Sequence, residues 1–120
     1  MPTPLVRIIL FVADVQKCAT FYREHFGFKA LPDTAEPSEW AELDTGGCRL
    51  AFHRARGAKG PTGSKDHPHK IVFFAKDVNA TRAVLISRGV SMKKVQSFES
   101  IQFCDGTDAE GHVFQISDRP

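Results

Sequence analysis

The chain is poor in cysteine, in tryptophan and in charge of one sign, and each shortage removes a class of protein. Three cysteines, Cys18, Cys48 and Cys104, are spread through 120 residues with no C-x-x-C pair, so neither a disulfide framework nor a zinc site of the usual spacing can be built from them. Sixteen Lys and Arg against 14 Asp and Glu leave a net charge of +2. So balanced a composition lacks the basic excess that neutralises phosphates, which argues against a nucleic-acid partner. No apolar run approaches the ~20 residues needed to span a bilayer, since residues 5–13 are interrupted by Arg7 and followed by Asp14, and no membrane association is expected. The first residues carry no basic segment, apolar core and small-residue cleavage pattern of the secretory kind. A reducing cytoplasm is the expected compartment.

What is present is a repeat. The run Val6-Arg7-Ile8-Ile9-Leu10-Phe11-Val12-Ala13-Asp14-Val15 returns as His69-Lys70-Ile71-Val72-Phe73-Phe74-Ala75-Lys76-Asp77-Val78, aligned without a gap, Arg7 on Lys70 and Asp14 on Asp77. Each copy is a β-rich segment ending at an acid suited to cap a helix, because a carboxylate there accepts hydrogen bonds from first-turn N–H groups. Val15, Cys18, Ala19, Tyr22 and Phe26 then follow the spacing of one helical face, with Gly27 as the stop. Val78, Thr81, Val84 and Leu85 do so less regularly before Gly89. Strands are expected at residues 28–31, 39–44 and 48–54, and again at 91–97, 100–104 and 112–117, with hairpin signals at Gly46-Gly47 and Glu110-Gly111. Each half reads β-α-β-β-β. Residues 55–68, rich in Gly and Pro, read as a linker between a module at 5–54 and one at 69–118. Chains below ~60 residues bury too little surface to stand well alone, so the halves are expected to form one domain over residues 1–120.

The tandem of V-x-D-V before each helix or its equivalent, Phe21-Tyr22 with Phe26-Gly27-Phe28, and Asp108-Ala109-Glu110-Gly111-His112-Val113-Phe114-Gln115-Ile116 resembles the vicinal oxygen chelate superfamily. Glyoxalase I, extradiol dioxygenases, fosfomycin-resistance enzymes and bleomycin-binding proteins belong to it. The resemblance runs from Val6 to Ser117. It implies an α+β fold in which tandem βαβββ modules form a rolled mixed sheet around a cavity. It also implies metal ligands on the first and last strand of each module in metal-dependent members. By position these fall at Arg7, Lys70 and Gln115, and at Ala51 or, with the strand slid by two, Arg49. Arg and Lys side chains are cationic donors without a free lone pair, so the usual metal site is expected to be missing and no cofactor is expected.

Alternation along a strand places Arg7, Ile9 and Phe11 on one face, Lys70, Val72 and Phe74 on another, Arg49, Ala51 and His53 on a third, and Gln115 with Val113 and Ser117. If these faces are concave, the ligand contacts are Arg7, Phe11, Arg49, His53, Lys70, Phe74 and Gln115. A pocket of this composition suits an anionic organic molecule, because charge-assisted bonds to a carboxylate or phosphate outweigh neutral ones. The bland alternative is that Arg7 and Lys70 point to solvent. A one-residue register slip would bring His69 to the ligand point in place of Lys70, making a divalent-metal set with His53 and Gln115, at the cost of the gap-free match. His67 and His69 flank Pro68 and otherwise read as a solvated turn, and His25 and His112 as structural.

No catalytic residue is assigned. His53 is a candidate acid or base, whereas Glu42, one of a run of acids between Asp33 and Asp44, reads as part of a solvated strand face. Cys104 reads as a buried thiol and Trp40 as core or interface. Gly57 to Lys65 fails the phosphate-loop pattern, since Gly63 is followed by Ser64 before Lys65. The expected function is that of a glyoxalase-like small-molecule protein binding or transforming an anionic metabolite as a homodimer. The alternatives are a ligand-sequestering protein of the bleomycin-resistance kind, a metal-dependent lyase or dioxygenase, and a metal-free member with a regulatory or assembly role.

Overall fold

In the computed structural model, residues 2–32, 36–63 and 68–120 are described; His67 and the end of the Gly57–Lys65 loop lie outside them. The chain divides into two compact units, Met1–Thr62 and Gly63–Pro120, a boundary inside the stretch read as a linker. Among the described residues no helix is long and apolar enough to cross a membrane.

In the first unit, β1 (Arg7–Val12) leads into α1 (Val15–Phe26), followed by β2 (Lys29–Ala30), β3 (Trp40–Asp44) and β4 (Arg49–Arg54). Asp14 caps α1 by accepting from the Lys17 N–H at 3.0 Å, and Gly27 closes it with φ of 74°, a left-handed turn that costs glycine little. The helix buries Val15, Cys18, Ala19 and Tyr22. It packs on β3 and β4, where Leu43, Leu50 and Phe52 are buried, and Leu10 and Val12 of β1 are buried as well. Each large apolar side chain removed from water contributes about 1.5–3 kcal/mol, which is why this face, rather than helix propensity, holds α1. The sheet runs β1-β4-β3-β2, with β1 and β4 parallel and the rest antiparallel. The stretch after β4 is anchored at points along its length: Ala55 N–H donates to Val12 O, and the Thr62 hydroxyl to Phe11 O at 2.9 Å.

The second unit repeats the plan with β5 (Ile71–Phe74), α2 (Val78–Ser87), β6 (Ser91–Met92), β7 (Gln96–Phe98), β8 (Ile101–Thr107) and β9 (Val113–Ser117). Asp77 caps α2 through the Ala80 N–H at 3.0 Å. Val78 and Leu85 face inward, but Val84 is half exposed and does not join them as the spacing predicts. The sheet runs β5-β9-β8-β6, β5 and β9 being parallel, and β7 also pairs with β8. The single strand expected at 91–97 is therefore broken in two. Met92 pairs with Gly106 and Gln96 with Phe103, so three residues oppose two, the count of a bulge. The Lys93 carbonyl accepts instead from Arg82 Nε at 2.7 Å and Cys104 Sγ at 3.0 Å. Gly63 N–H donates to Glu110 O at 3.0 Å, and a Cβ at Gly63 would overlap backbone atoms of Gly111, Glu110 and His112. Both units are thus βαβββ arrangements with an open, mixed sheet, and the fold is α+β.

Candidate functional site

Each sheet has one face against its helix and one face without it, and the expected ligand contacts lie on the second. In the first unit the register sets Arg7 opposite Arg49, Ile9 opposite Ala51 and Phe11 opposite His53, and on the far side of β4 pairs Ala51 with Glu42 and His53 with Trp40. Arg7, Phe11, Arg49 and His53 are therefore brought together. Phe11, His53 and Trp40 form a row of rings, with centroids 5.4 Å apart for the first pair and 6.0 Å for the second. Phe11 is 58% exposed, an unusual exposure for so large an apolar ring. His53 Nδ1 lies 2.8 Å from the Arg54 carbonyl oxygen. Because that oxygen only accepts, Nδ1 carries the proton in a neutral ring, leaving the Nε2 lone pair for other chemistry.

Glu42 corrects the expectation of a solvated face. Its carboxylate is buried, 9% exposed, and its Oε2 accepts from Arg7 Nε at 3.1 Å and Arg49 Nη1 at 3.3 Å. Alternation along β3 brings it onto the face of Ala51, which is itself fully buried, and two guanidinium groups offset the cost of desolvating the acid. Two guanidinium groups share this one carboxylate, so the three side chains together carry a net charge of +1.

The second unit has the same device. Val72 pairs with Gln115, which pairs with Asp105, so Lys70, Val72, Phe74, Gln115 and Asp105 share a face. Lys70 Nζ donates to Asp105 Oδ2 at 2.9 Å and Gln115 Nε2 to Asp105 Oδ1 at 3.0 Å. It is Lys70, not His69, that bonds to Asp105 on this face. Asp105 is not among the residues singled out from the sequence. The repeat that aligns Arg7 with Lys70 also aligns Glu42 with Asp105, and carrying it beyond the first strand would have found both acids.

These residues do not fit a metal ion. Arg7 and Lys70 are cations and the Ala51 side chain has no donor atom, so of these four positions only Gln115, through Oε1, offers a ligand atom. Among the described residues no three His, Cys, Asp or Glu side chains are grouped to hold one. Cys104 is buried, and desolvation pushes its thiol pKa up against the opposing pull of Arg82, so it stays protonated and unreactive. His112 belongs to a structural knot: its Nδ1 is 2.8 Å from Asp108 Oδ2, and Asp108 Oδ1 accepts from the N–H groups of Glu110 and His112 at 2.9 and 3.0 Å.

The family model of the Glyoxalase/Bleomycin resistance protein/Dioxygenase superfamily matches residues 5–116. No curated protein matches the chain by sequence. Among solved structures, a glyoxalase/bleomycin resistance protein/dioxygenase family enzyme from Burkholderia phytofirmans superposes with a TM-score of 0.79 at 20% identity, covering 96% of this chain and 98% of that one. The fosfomycin resistance protein of Listeria monocytogenes gives 0.77 at 17% identity, covering 98% and 93%. A lactoylglutathione lyase from Agrobacterium tumefaciens gives 0.74 at 15%, covering 97% and 93%. At such identities the structures share a fold and carry no substrate across. By the family match over nearly its whole length, the chain belongs to the glyoxalase/bleomycin resistance protein/dioxygenase superfamily.

Proposed function

We propose that the protein binds a small anionic organic metabolite on its helix-free sheet faces, as one domain over residues 1–120, in the cytoplasm. The observation that carries this is the Arg7–Glu42–Arg49 cluster, whose three side chains together retain one positive charge on the sheet face that also carries the exposed Phe11 ring. An anion accepts from the guanidinium N–H groups that Glu42 leaves free, while its apolar part lies on the aromatic row. Lys70, Phe74 and Gln115 line the corresponding face of the second unit. The three cysteines are free thiols, as a reducing compartment requires.

Thermal-shift screening with carboxylates and phosphates tests it. Arg7→Ala leaves Glu42 to neutralise Arg49, and anion affinity is expected to fall about tenfold or more. Equal stabilisation by neutral or cationic compounds, or an unchanged affinity in Arg7→Ala, overturns the reading.

A second reading, acid–base catalysis on the same ligand, is favoured by His53 Nε2. Incubating the stabilising anion with wild type and with His53→Gln separates the two. Product formed by the first and not the second marks an enzyme; a ligand recovered unchanged from both marks a sequestering protein.

The working unit is proposed to be a homodimer. Ile9, Phe11, Val72 and Phe74 are large, apolar and exposed on the first strands of the two sheets, and association of a second copy would cover such surface. Light scattering at low micromolar concentration is expected to give twice 13.3 kDa. A mass of 13.3 kDa that persists on concentrating the sample excludes the dimer.

A further inference from the structure

The second unit contains a concavity of about 330 Å³ lined by Phe98, Ile101, Phe103, Gln115, Ser117 and Arg119. None of these except Gln115 was expected as a ligand contact. The strand register accounts for its two sides. Phe98 pairs with Ile101, and Phe103 with Ser117, so rings and hydroxyl come to one face of the β7-β8-β9 ribbon. Phe98 is 66% exposed.

The hydrogen bonds already made define what the polar groups have left to offer. Gln115 Nε2 is spent on Asp105, which orients the amide and leaves Oε1 as an acceptor. Ser117 Oγ accepts from the Arg119 backbone N–H at 3.1 Å, so its own hydrogen is free to donate. Lys70 is matched by Asp105 at 2.9 Å, and Arg119 is the cation lining the concavity. The wall is apolar and aromatic, and the polar groups are one acceptor, one hydroxyl donor and one guanidinium.

We propose that this concavity is the selectivity site for the ligand, recognising a small aromatic carboxylate that carries a hydroxyl or amino donor. Arg119 and the Ser117 hydroxyl hold the carboxylate, Gln115 Oε1 accepts from the donor, and the ring lies against Phe98 and Phe103. The volume lies at the low end for small-molecule pockets, so a single-ring ligand fits and a nucleotide does not. The assignment rests on the reading that the sheet faces bind organic anions, and it names the second unit's face as the one that selects among them.

Calorimetric titration with para-hydroxyphenylacetate and with its primary amide tests the charge requirement, and NMR of the phenylalanine rings locates the probe. The acid is expected to bind about tenfold more tightly than the amide, and Arg119→Gln to abolish that preference while leaving amide binding within about twofold. Arg119→Lys, which keeps the charge and loses the planar fork, is expected to restore part of it. Ring shifts are expected at Phe98 and Phe103. Equal binding of acid and amide, an undiminished preference in Arg119→Gln, or no binding of either probe overturns the assignment. If the probe shifts Phe11 and Trp40 alone and loses affinity in Arg7→Ala, the assignment falls while the broader anion-binding reading stands.

Discussion

Asp108→Ala is expected to lower the free energy of unfolding by about 2–5 kcal/mol, since each buried donor that loses its acceptor costs about 1–3 kcal/mol and the effects of one cluster are not fully additive. The Asp108 side chain is wholly buried, and its two oxygens hold the Glu110 N–H, the His112 N–H and the His112 ring. Alanine supplies none of these contacts, and truncation strands the donors where water cannot replace it, so the cost is desolvation without compensation. Urea denaturation measures it as a lower midpoint. Asp108→Asn keeps an acceptor oxygen for the backbone groups and is expected to lose less. An Asp108→Ala loss below about 1 kcal/mol, the net worth of one ordinary hydrogen bond, would remove the motif from the stabilising core.

Gly63→Ala strikes the same turn from outside. Gly63 needs no unusual backbone angle; what it supplies is the absence of a side chain where its Cα lies against Gly111. An added methyl group meets backbone atoms, which cannot swing aside as a side-chain tip can. The Gly63-to-Glu110 hydrogen bond must lengthen or the turn must move, and the expected cost is about 1–3 kcal/mol, as for overpacking. Gly60→Ala is the control, since nothing lies within 4 Å of a Cβ there. Thermal melts of the two variants, with amide exchange at Glu110 and Gly111, check the prediction. Equal melting temperatures for the two variants would mean that the turn yields freely. Asp108 and Gly63 act on one turn, so their effects are expected to be non-additive.

The repeat made much of the fold legible, because a β run, an acid cap and an amphipathic helix are local signals and each occurs twice. α1 ends at Gly27 as its pattern predicts. The break between Met92 and Gln96 was not legible, since it depends on where the Lys93 carbonyl turns, and Arg82 and Cys104 that draw it away are distant in sequence. The faces of Arg7, Arg49, Lys70 and Gln115 followed from alternation. Their electrostatic state did not. A run of acids such as that ending at Asp44 usually meets water, and only the pairing of β3 with β4 selects Glu42 from it for burial. Arg119 and Phe98 escaped notice because a concavity is made by strands converging in space, which periodicity within one strand does not describe.

The carboxylate beside each first-strand base bears on how quickly a ligand arrives. Had Lys70 stood alone, its field would reach an approaching anion across a Debye length of about 8 Å at physiological salt and speed the encounter. With Asp105 at 2.9 Å the pair acts at a distance as a dipole, whose field decays faster than that of a single charge. Lys70 therefore acts on a ligand by contact rather than by long-range steering. The salt dependence of association at that face falls to Arg119, with little contribution from Lys70.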